Sequence, residues 1–450
     1  MKQVNDTICA VSTPAGVGGI AVVRLSGSDA FLIADTLFKG RRQLSQMQPY
    51  TLAFGKVERA GEMLDEVVVS VFRAPHSYTG EDVVEISCHG SQYVQQTLLR
   101  WLIDAGARLA KAGEFTKRAF LAGKMNLMQA EAVADLIAAQ SSAEHRLAVS
   151  QMRGGVEAEI RKLREQLLEF TSLLELELDF ADYEELEFAD RTQLLSLVDK
   201  IQLKIVQLLK TFKHGNAIKN GISVAILGRT NVGKSTLLNA LVGEERAIVS
   251  DINGTTRDTI EQEVTIGGVR FRFVDTAGIR DTADTIEKIG IERSFEAARK
   301  AHIVLLLSDA AGSTEVTDFN PAEEQMVIHV VNKADLLDAS AESHAAKRSA
   351  DAVYVSAKNS DIAELTERLE RIAAEWSAPD VMIANIRHYE ALKVASEALC
   401  RVREGLTQQL SGELVALDLH DCLAALAEIT GEVTSDEVLA SVFSRFCIGK

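Results

Sequence analysis

Apolar and polar positions follow two different periods along this chain, and the change of period divides it. Near the N-terminus the apolar runs are short, as in Ile20-Ala21-Val22-Val23-Arg24-Leu25 and Asp65-Glu66-Val67-Val68-Val69-Ser70-Val71-Phe72. β-Branched runs of this length favour extended backbone, so residues 1–120 are expected to form an α+β domain. From about residue 121 the spacing turns helical. Ile160, Leu163, Leu167, Phe170 and Leu174 recur three and four residues apart, which places them on one face of a helix. The acids from Glu175 to Asp190 read as a solvated face or loop. After Pro379 a helical stripe resumes at Leu392, Ala395, Leu399, Val402, Leu406 and Leu410. The expected fold is a multidomain α/β chain. A helical domain, with a first part at 121–217 and a second part at 379–450, is interrupted by an inserted α/β domain at 218–378. Both ends of such an insert anchor in one body, so its rearrangement can move that body.

The insert carries the most specific chemistry. Ile222-Ser223-Val224-Ala225-Ile226-Leu227 reads as a strand, Gly228 to Thr236 reads GRTNVGKST, and Leu237-Leu238-Asn239-Ala240-Leu241 opens a helix. Strand, G-x-x-x-x-G-K-[ST] loop and helix together form a phosphate-binding P-loop. Its N–H groups and the positive end of the helix face the phosphates. In this loop Asn231, Val232, Gly233, Lys234, Ser235 and Thr236 would contact nucleotide, Lys234 reaching the β- and γ-phosphates and Ser235 ligating Mg²⁺. Phe271-Arg272-Phe273-Val274 reads as a second strand and ends in Asp275-Thr276-Ala277-Gly278, where an acid can hold Mg²⁺ through water.

Two further strand ends select the base. Met326 to Val331 leads into Asn332-Lys333-Ala334-Asp335, and Ala352 to Val355 leads into Ser356-Ala357-Lys358. A carboxylate at Asp335 accepts from both donors on the Watson–Crick edge of guanine, and 356–358 could close over the base. Four such segments in this order, each at a strand end, make a Ras-like GTPase domain, because ligands of open α/β sheets sit at the carboxyl ends of strands. The stretch Ser250-Asp251-Ile252-Asn253-Gly254-Thr255-Thr256 lies where a switch segment orders around the γ-phosphate, with Thr256 completing the Mg²⁺ shell.

Hydrolysis cannot follow the Ras pattern. There a glutamine after D-x-x-G orients the water, and here Ile279 stands in its place. Arg280, Asp281, Asp284 and Glu287 are the alternatives that follow, Glu287 opening a helix-like stretch. No arginine can be assigned to offset charge on the transferring phosphoryl group. Asn231, with carbonyls of the switch loop, could hold a monovalent cation there.

Composition narrows the setting. With 47% hydrophobic and 25% charged residues the chain reads as globular. The formal net charge of −17 argues against nucleic-acid binding driven by the whole molecule's field. Cys9, Cys88, Cys400, Cys422 and Cys447 show no zinc spacing. With no secretory signal pattern and no apolar run near ~20 residues, the expectation is cytoplasmic. Gly16-Val17-Gly18-Gly19 invites a dinucleotide-binding reading, rejected because a strand and not a helix follows.

Several signatures together resemble one family. They are Asp6-Thr7-Ile8 with Gly18-Gly19 and Arg24-Leu25-Ser26-Gly27, then Tyr78-Thr79-Gly80-Glu81-Asp82-Val83-Val84-Glu85, then Gly113-Glu114-Phe115-Thr116-Lys117-Arg118-Ala119-Phe120 with Lys124, and the ending Phe446-Cys447-Ile448-Gly449-Lys450. The chain is similar along essentially its whole length to the bacterial tRNA modification GTPase family MnmE (TrmE). The resemblance implies an N-terminal domain like those of folate-binding aminomethyltransferases. That domain would bind a formyl- or methylene-tetrahydrofolate one-carbon donor through Arg24, Glu85 and Lys124, with Lys450 nearby, and would mediate homodimerisation. It implies a potassium-stimulated GTPase with K⁺ held by Asn231, Ser250, Ile252 and Thr255 and water positioned by Glu287. It also implies an FAD-containing partner, MnmG, a tRNA substrate modified at C5 of the wobble uridine with an aminomethyl or carboxymethylaminomethyl group, and a role for Cys447 in that chemistry. Thr230 departs from the family's usual loop proline and leaves φ unfixed there. The competing expectation is a GTP-controlled ribosome-assembly factor, which would more naturally carry a basic RNA-binding appendage.

Overall fold

Alternation along the N-terminal strands builds a two-faced sheet. In a computed structural model of the chain the described residues are 6–179, 190–229, 231–244, 261–274, 295–310, 319–322, 325–337, 352–379, 381–433, 435–444 and 446–450. Two compact units divide it, 1–134 with 427–450, and 135–426.

In the first unit the strands are β1 (Ile8–Val11), β2 (Gly18–Ser26), β3 (Phe38–Gly40), β4 (Thr51–Arg59), β5 (Glu62–Phe72), β6 (Val83–Gly90) and β7 (Arg108–Leu109). They form a seven-stranded sheet ordered β3-β4-β5-β6-β2-β1-β7. Only β1 and β7 pair in parallel. Val23, Leu25, Val67, Val69, Val71, Val84 and Ile86 are buried with residues of α1 (Ala30–Leu37) and α2 (Gln92–Asp104). The period of two therefore sends Arg24 and Glu85 to the opposite face, directly across from each other in the β2–β6 register. On that face Ile8, Ala10 and Ala110 pack with Phe115 of α3 (Glu114–Leu121) and with Tyr78. A second small core joins Leu127 and Ala130 of α4 (Leu127–Ala138) to residues near the C-terminus, namely Leu439, Val442, Phe443 and Phe446.

The second unit combines helices with the other sheet. Its helices are α5 (Ser142–Met152), α6 (Gly155–Asp179), α7 (Arg191–Asn220), α8 (Lys234–Glu244), α9 (Ala363–Trp376) and α10 (Ile386–Thr407). Asp190 caps α7 by accepting from the N–H groups of Thr192 and Gln193. Gly221 ends it at φ 82°, a conformation open to glycine. Along α7 the stripe Leu194, Val198, Ile201, Ile205 and Leu208 is buried, as are Leu392, Ala395, Leu399 and Val402 on α10. Gln202 donates to Ser396 (2.8 Å) and Phe212 stacks on Tyr389, which fixes α7 against α10.

The sheet contains β8 (Ile222–Gly228), β9 (Glu261–Ile266), β10 (Val269–Val274), β11 (Ile303–Asp309), β12 (Met326–Asn332) and β13 (Ala352–Tyr354). Their order is β13-β12-β11-β8-β10-β9, all parallel except the edge strand β9. The β9–β10 hairpin turns on Gly267 and Gly268, both at positive φ, the requirement of a tight two-residue hairpin loop. Helices α11 (Gly412–Thr430) and α12 (Asp436–Ser444) follow toward the C-terminus. Among the described residues no helix is long and apolar enough to cross a membrane.

Candidate functional site

The residues singled out from the sequence gather at two places. The first lies at the carboxyl ends of β8, β12 and β13. Strand β8 is central, with β11 on one side and β10 on the other, and the loop after it runs directly into α8. Asn231 and Gly233 both have positive φ (65° and 99°), which curls the loop back over the strand end. A Cβ on Gly228 would meet the Leu307 carbonyl at 2.5 Å, and one on Gly233 would overlap the Asn332 amide, so glycine is required at both. The Leu237 N–H donates to Gly233 (2.9 Å), so the first helical turn starts within the loop. Ser235 and Thr236 are exposed there. Lys234 folds back and donates to the carbonyls of Gly228 (2.7 Å) and Arg229 (3.1 Å). These two carbonyls are neutral acceptors, which a phosphate would outcompete.

Asn332 ties this loop to the base side. Its amide donates to the Val232 carbonyl (2.9 Å) and its oxygen accepts from the Ala357 N–H (3.0 Å). Ser356 donates to the Asp335 carboxylate at 2.6 Å and so fixes its orientation. Lys333 sits at φ 61° with its ammonium 3.4 Å from Asp309. Lys358 lies in the short helical turn 357–359 that follows. Thus Asn231 to Thr236, Asn332, Lys333, Asp335, Ser356, Ala357 and Lys358 share one end of the sheet. Thr230, Ser250, Asp251, Ile252, Asn253, Gly254, Thr255, Thr256, Asp275, Thr276, Ala277, Gly278 and Glu287 lie outside the described residues.

The second place is the inner face of the N-terminal sheet. Arg24 Nε donates to Glu85 Oε1 at 2.8 Å, with side-chain exposures of 13% and 24%. The guanidinium lies 5.4 Å from the Tyr78 ring centroid and 5.6 Å from that of Phe115, within cation–π range. Its Nη1 is buried without a hydrogen-bond partner among the described residues. A buried charged donor left unpaired is costly, so the site suits a ligand that brings an acceptor. Burial and the nearby Arg24 push the Lys450 ammonium below its usual range, while Glu85 pulls the other way. Lys124 donates to the Pro75 carbonyl (2.7 Å), on the loop that leads to Tyr78. Cys447 is exposed, and its carbonyl accepts from the N–H groups of Gly113 and Lys450.

A charge network holds the walls of this second place. Arg118, 8% exposed, pairs with Asp6 (2.6 Å), Glu81 (3.0 Å) and Glu114 (3.3 Å). Arg108 pairs with Asp6 (2.7 Å) and Glu114 (2.6 Å). Ser26 donates to Glu81 (2.6 Å), and Tyr78 bonds Thr116 (2.9 Å). Burial alone would raise the Asp6 carboxyl, but the bonds from Arg108 and Arg118 together hold it below its ordinary value. The sequence signatures at 6–8, 78–85 and 113–120 are therefore one physical unit. Tyr78 and Phe115 were legible only as members of those signatures, and their place against Arg24 had no local signal.

With this geometry in view, comparison with known proteins is decisive. The family model described as GTP-binding protein TrmE N-terminus matches residues 7–124. That described as MnmE helical domain matches 127–447. The protein named tRNA modification GTPase MnmE from Parabacteroides distasonis is 52% identical over 99% of this chain and 100% of its own length. This chain belongs to the MnmE family of tRNA modification GTPases. MnmE proteins of Bacteroides fragilis (strain YCH46) and Christiangramia forsetii are 50% and 48% identical, the former covering 99% and the latter 100% of this chain and both 100% of their own length. Among solved structures, the G domain of the T. maritima FeoB iron transporter matches 34% of this chain and 98% of its own at 24% identity, with a TM-score of 0.24.

Proposed function

We propose that this chain is a GTP hydrolase acting in tRNA wobble-uridine modification. With an FAD-dependent partner of the MnmG type it installs an aminomethyl or carboxymethylaminomethyl group at C5, the carbon coming from a tetrahydrofolate derivative. The observation that carries this reading is the 52% identity to a tRNA modification GTPase over 99% of the chain.

The geometry supports the nucleotide half. A loop with glycine-only positions, a lysine folded onto the loop's own carbonyls and a carboxylate oriented by Ser356 suits GTP. Mg²⁺ would take the Ser235 and Thr256 hydroxyls, and K⁺ would take oxygens of Asn231, Ser250, Ile252 and Thr255. Glu287 is assigned to positioning the attacking water. The domain at 218–378 is read as an insert, and α7 and α10, packed on each other, carry its two ends into the same helical body.

The geometry also supports the one-carbon half. A pterin presents an amide edge like that of guanine, so Glu85 can accept from its donors. The open Nη1 of Arg24 meets an oxygen acceptor, and Tyr78 and Phe115 supply apolar walls. The folate derivative supplies the transferred carbon. Lys124 and Lys450 suit its anionic portions, and Cys447 stands in the same tail for the modification chemistry. Two protomers form the working homodimer.

Mass spectrometry of wobble nucleosides in tRNA from cells lacking the gene tests this. The C5-aminomethyl-type uridines should disappear and return with the wild-type gene. An unchanged nucleoside profile would refute the assignment and favour a GTP-controlled assembly factor.

A further inference from the structure

The C-terminal tail is fastened to the N-terminal sheet at one point with no steric slack. After α12 ends, Phe446 is buried among Phe443 and its neighbours, and Ile448 forms an isolated antiparallel bridge with Ala112. The next residue, Gly449, has φ 105°, a region L side chains rarely adopt. A Cβ there would overlap the Val11 carbonyl and come within 3.1 Å of Ser12 Cα. Ser12 Oγ donates to the Gly449 carbonyl at 3.1 Å, at the end of β1. The Ser12 N–H donates in turn to Val22 (2.8 Å) on β2, two residues before Arg24. One more residue along the tail is Lys450, half-buried, one position beyond the contact of Gly449 with Val11, which pairs with Val23 next to Arg24; its ammonium feels the charges of Arg24 and Glu85. The clasp and the Arg24–Glu85 pair therefore share strand β2.

We propose that Ser12 and Gly449 are positioning residues for the one-carbon site, their clasp setting the Lys450 ammonium beside the Arg24–Glu85 pair where a folate-type ligand binds. This rests on the folate reading above. Gly449 contributes by having no side chain, which lets the backbone lie against Val11. Ser12 contributes by holding the carbonyl of Gly449 in one orientation. Neither needs to touch the ligand. Without the clasp the tail can still cover its apolar cluster through Phe446, but Lys450 loses its fixed place. With it, two cations and one carboxylate face the same space, an arrangement that favours a ligand with both donors and anionic or carbonyl acceptors.

The test is equilibrium titration of the full-length protein with 5-formyltetrahydrofolate, for wild type, Gly449→Ala, Ser12→Ala, Lys450→Met and the double variant Gly449→Ala/Lys450→Met. Gly449→Ala and Lys450→Met should each weaken binding by about 10-fold to about 100-fold, the loss expected for one charge-assisted hydrogen bond. Because the glycine acts through the lysine, the double variant should be no weaker than the worse single one. Additive losses would mean that Gly449 acts independently of Lys450, and the proposal fails. Wild-type affinity in Gly449→Ala, or in Lys450→Met, overturns it as well. If Gly449→Ala does not fold, as judged by its thermal unfolding, Ser12→Ala carries the same test without added bulk, and wild-type affinity there is fatal. A wild-type protein that does not bind the probe defeats the folate reading itself, a result distinct from all of these.

Discussion

Asp335 shows what a single residue can decide. Its carboxylate is fixed by Ser356 at 2.6 Å, and the neighbouring Asn332 bridges the phosphate loop and the Ala357 N–H. A carboxylate offers two acceptors to the adjacent donors of guanine. An amide offers one donor and one acceptor, which suits xanthine instead. Asp335→Asn should therefore lower the preference for GTP over ATP by about 100-fold or more, the scale on which a buried polar mismatch discriminates, and should improve binding of XTP. Competition binding with the three nucleotides measures this, and an unchanged GTP preference would remove Asp335 from base recognition. The chemistry of this residue was legible in the sequence because the motif is local: four residues at a strand end carry it. The role of Asn332 as a tie between two loops was not, since Val232 lies 100 positions away. The clasp of Ser12 on Gly449 spans 437 positions and is invisible to any reading of spacing.

Elements were legible where their period was clean and hidden where a cap or a buried run blurred it. The apolar runs at 222–227, 271–274 and 326–331 lie in β8, β10 and β12, and all but Val355 of the run at 352–355 lies in β13. Strand β11, Ile303–Asp309, had no such reading, because a short continuous apolar run has no alternation to distinguish it from helix and, unlike those four, it leads into no nucleotide-binding signature. The stripe expected to run to Leu410 stops being helical at Thr407. Gln409 takes φ 55°, and the Leu410 N–H donates back to the Gly405 carbonyl (2.9 Å), a left-handed cap that returns the leucine to the helix surface. Glutamine in place of the usual glycine hides that stop. At the other end of the nucleotide sheet, elements α7, α9, β8 and β11 meet around His302. Its Nδ1 accepts from the Ser223 N–H (3.2 Å), its ring meets Trp376 edge-on, and His214 stacks on the same indole. Burial, with Lys213, Arg272 and His214 adding repulsion, pushes the imidazole down to about 4. Between about 4 and its ordinary value the unfolded chain binds the extra proton, so stability is full above that value and falls as the pH drops. At about 1.4 kcal/mol per unit the loss has an upper bound of about 3 kcal/mol, reduced by solvent screening at a ring that is not fully buried. His302→Asn, which keeps an acceptor for Ser223, should flatten the pH dependence of the urea midpoint between pH 6.5 and 4. An equally steep dependence in the variant would show that other groups carry it.

At the scale of the whole molecule, charge constrains how the chain meets its substrate. It carries 48 basic against 65 acidic residues, a formal net charge of −17, while a tRNA is a dense polyanion. Affinity for nucleic acid rises with the number of phosphates neutralised and falls steeply with salt when that number is large. The strongest basic groups at the N-terminal site are already engaged: Arg118 and Arg108 are spent on Asp6, Glu81 and Glu114, and Arg24 is paired with Glu85. On the modification reading, the chain alone should bind tRNA weakly, with a dissociation constant of roughly micromolar or higher at physiological salt and a shallow salt dependence. Adding the FAD-dependent partner should both tighten binding and steepen that dependence, because the partner would then supply the phosphate contacts. Filter binding of tRNA across a salt series, with and without the partner, separates the cases. Nanomolar binding by the isolated chain, with a slope matching about six or more phosphates, would mean that a local basic surface overrides the net field. The substrate would then be recruited by this chain and not by its partner.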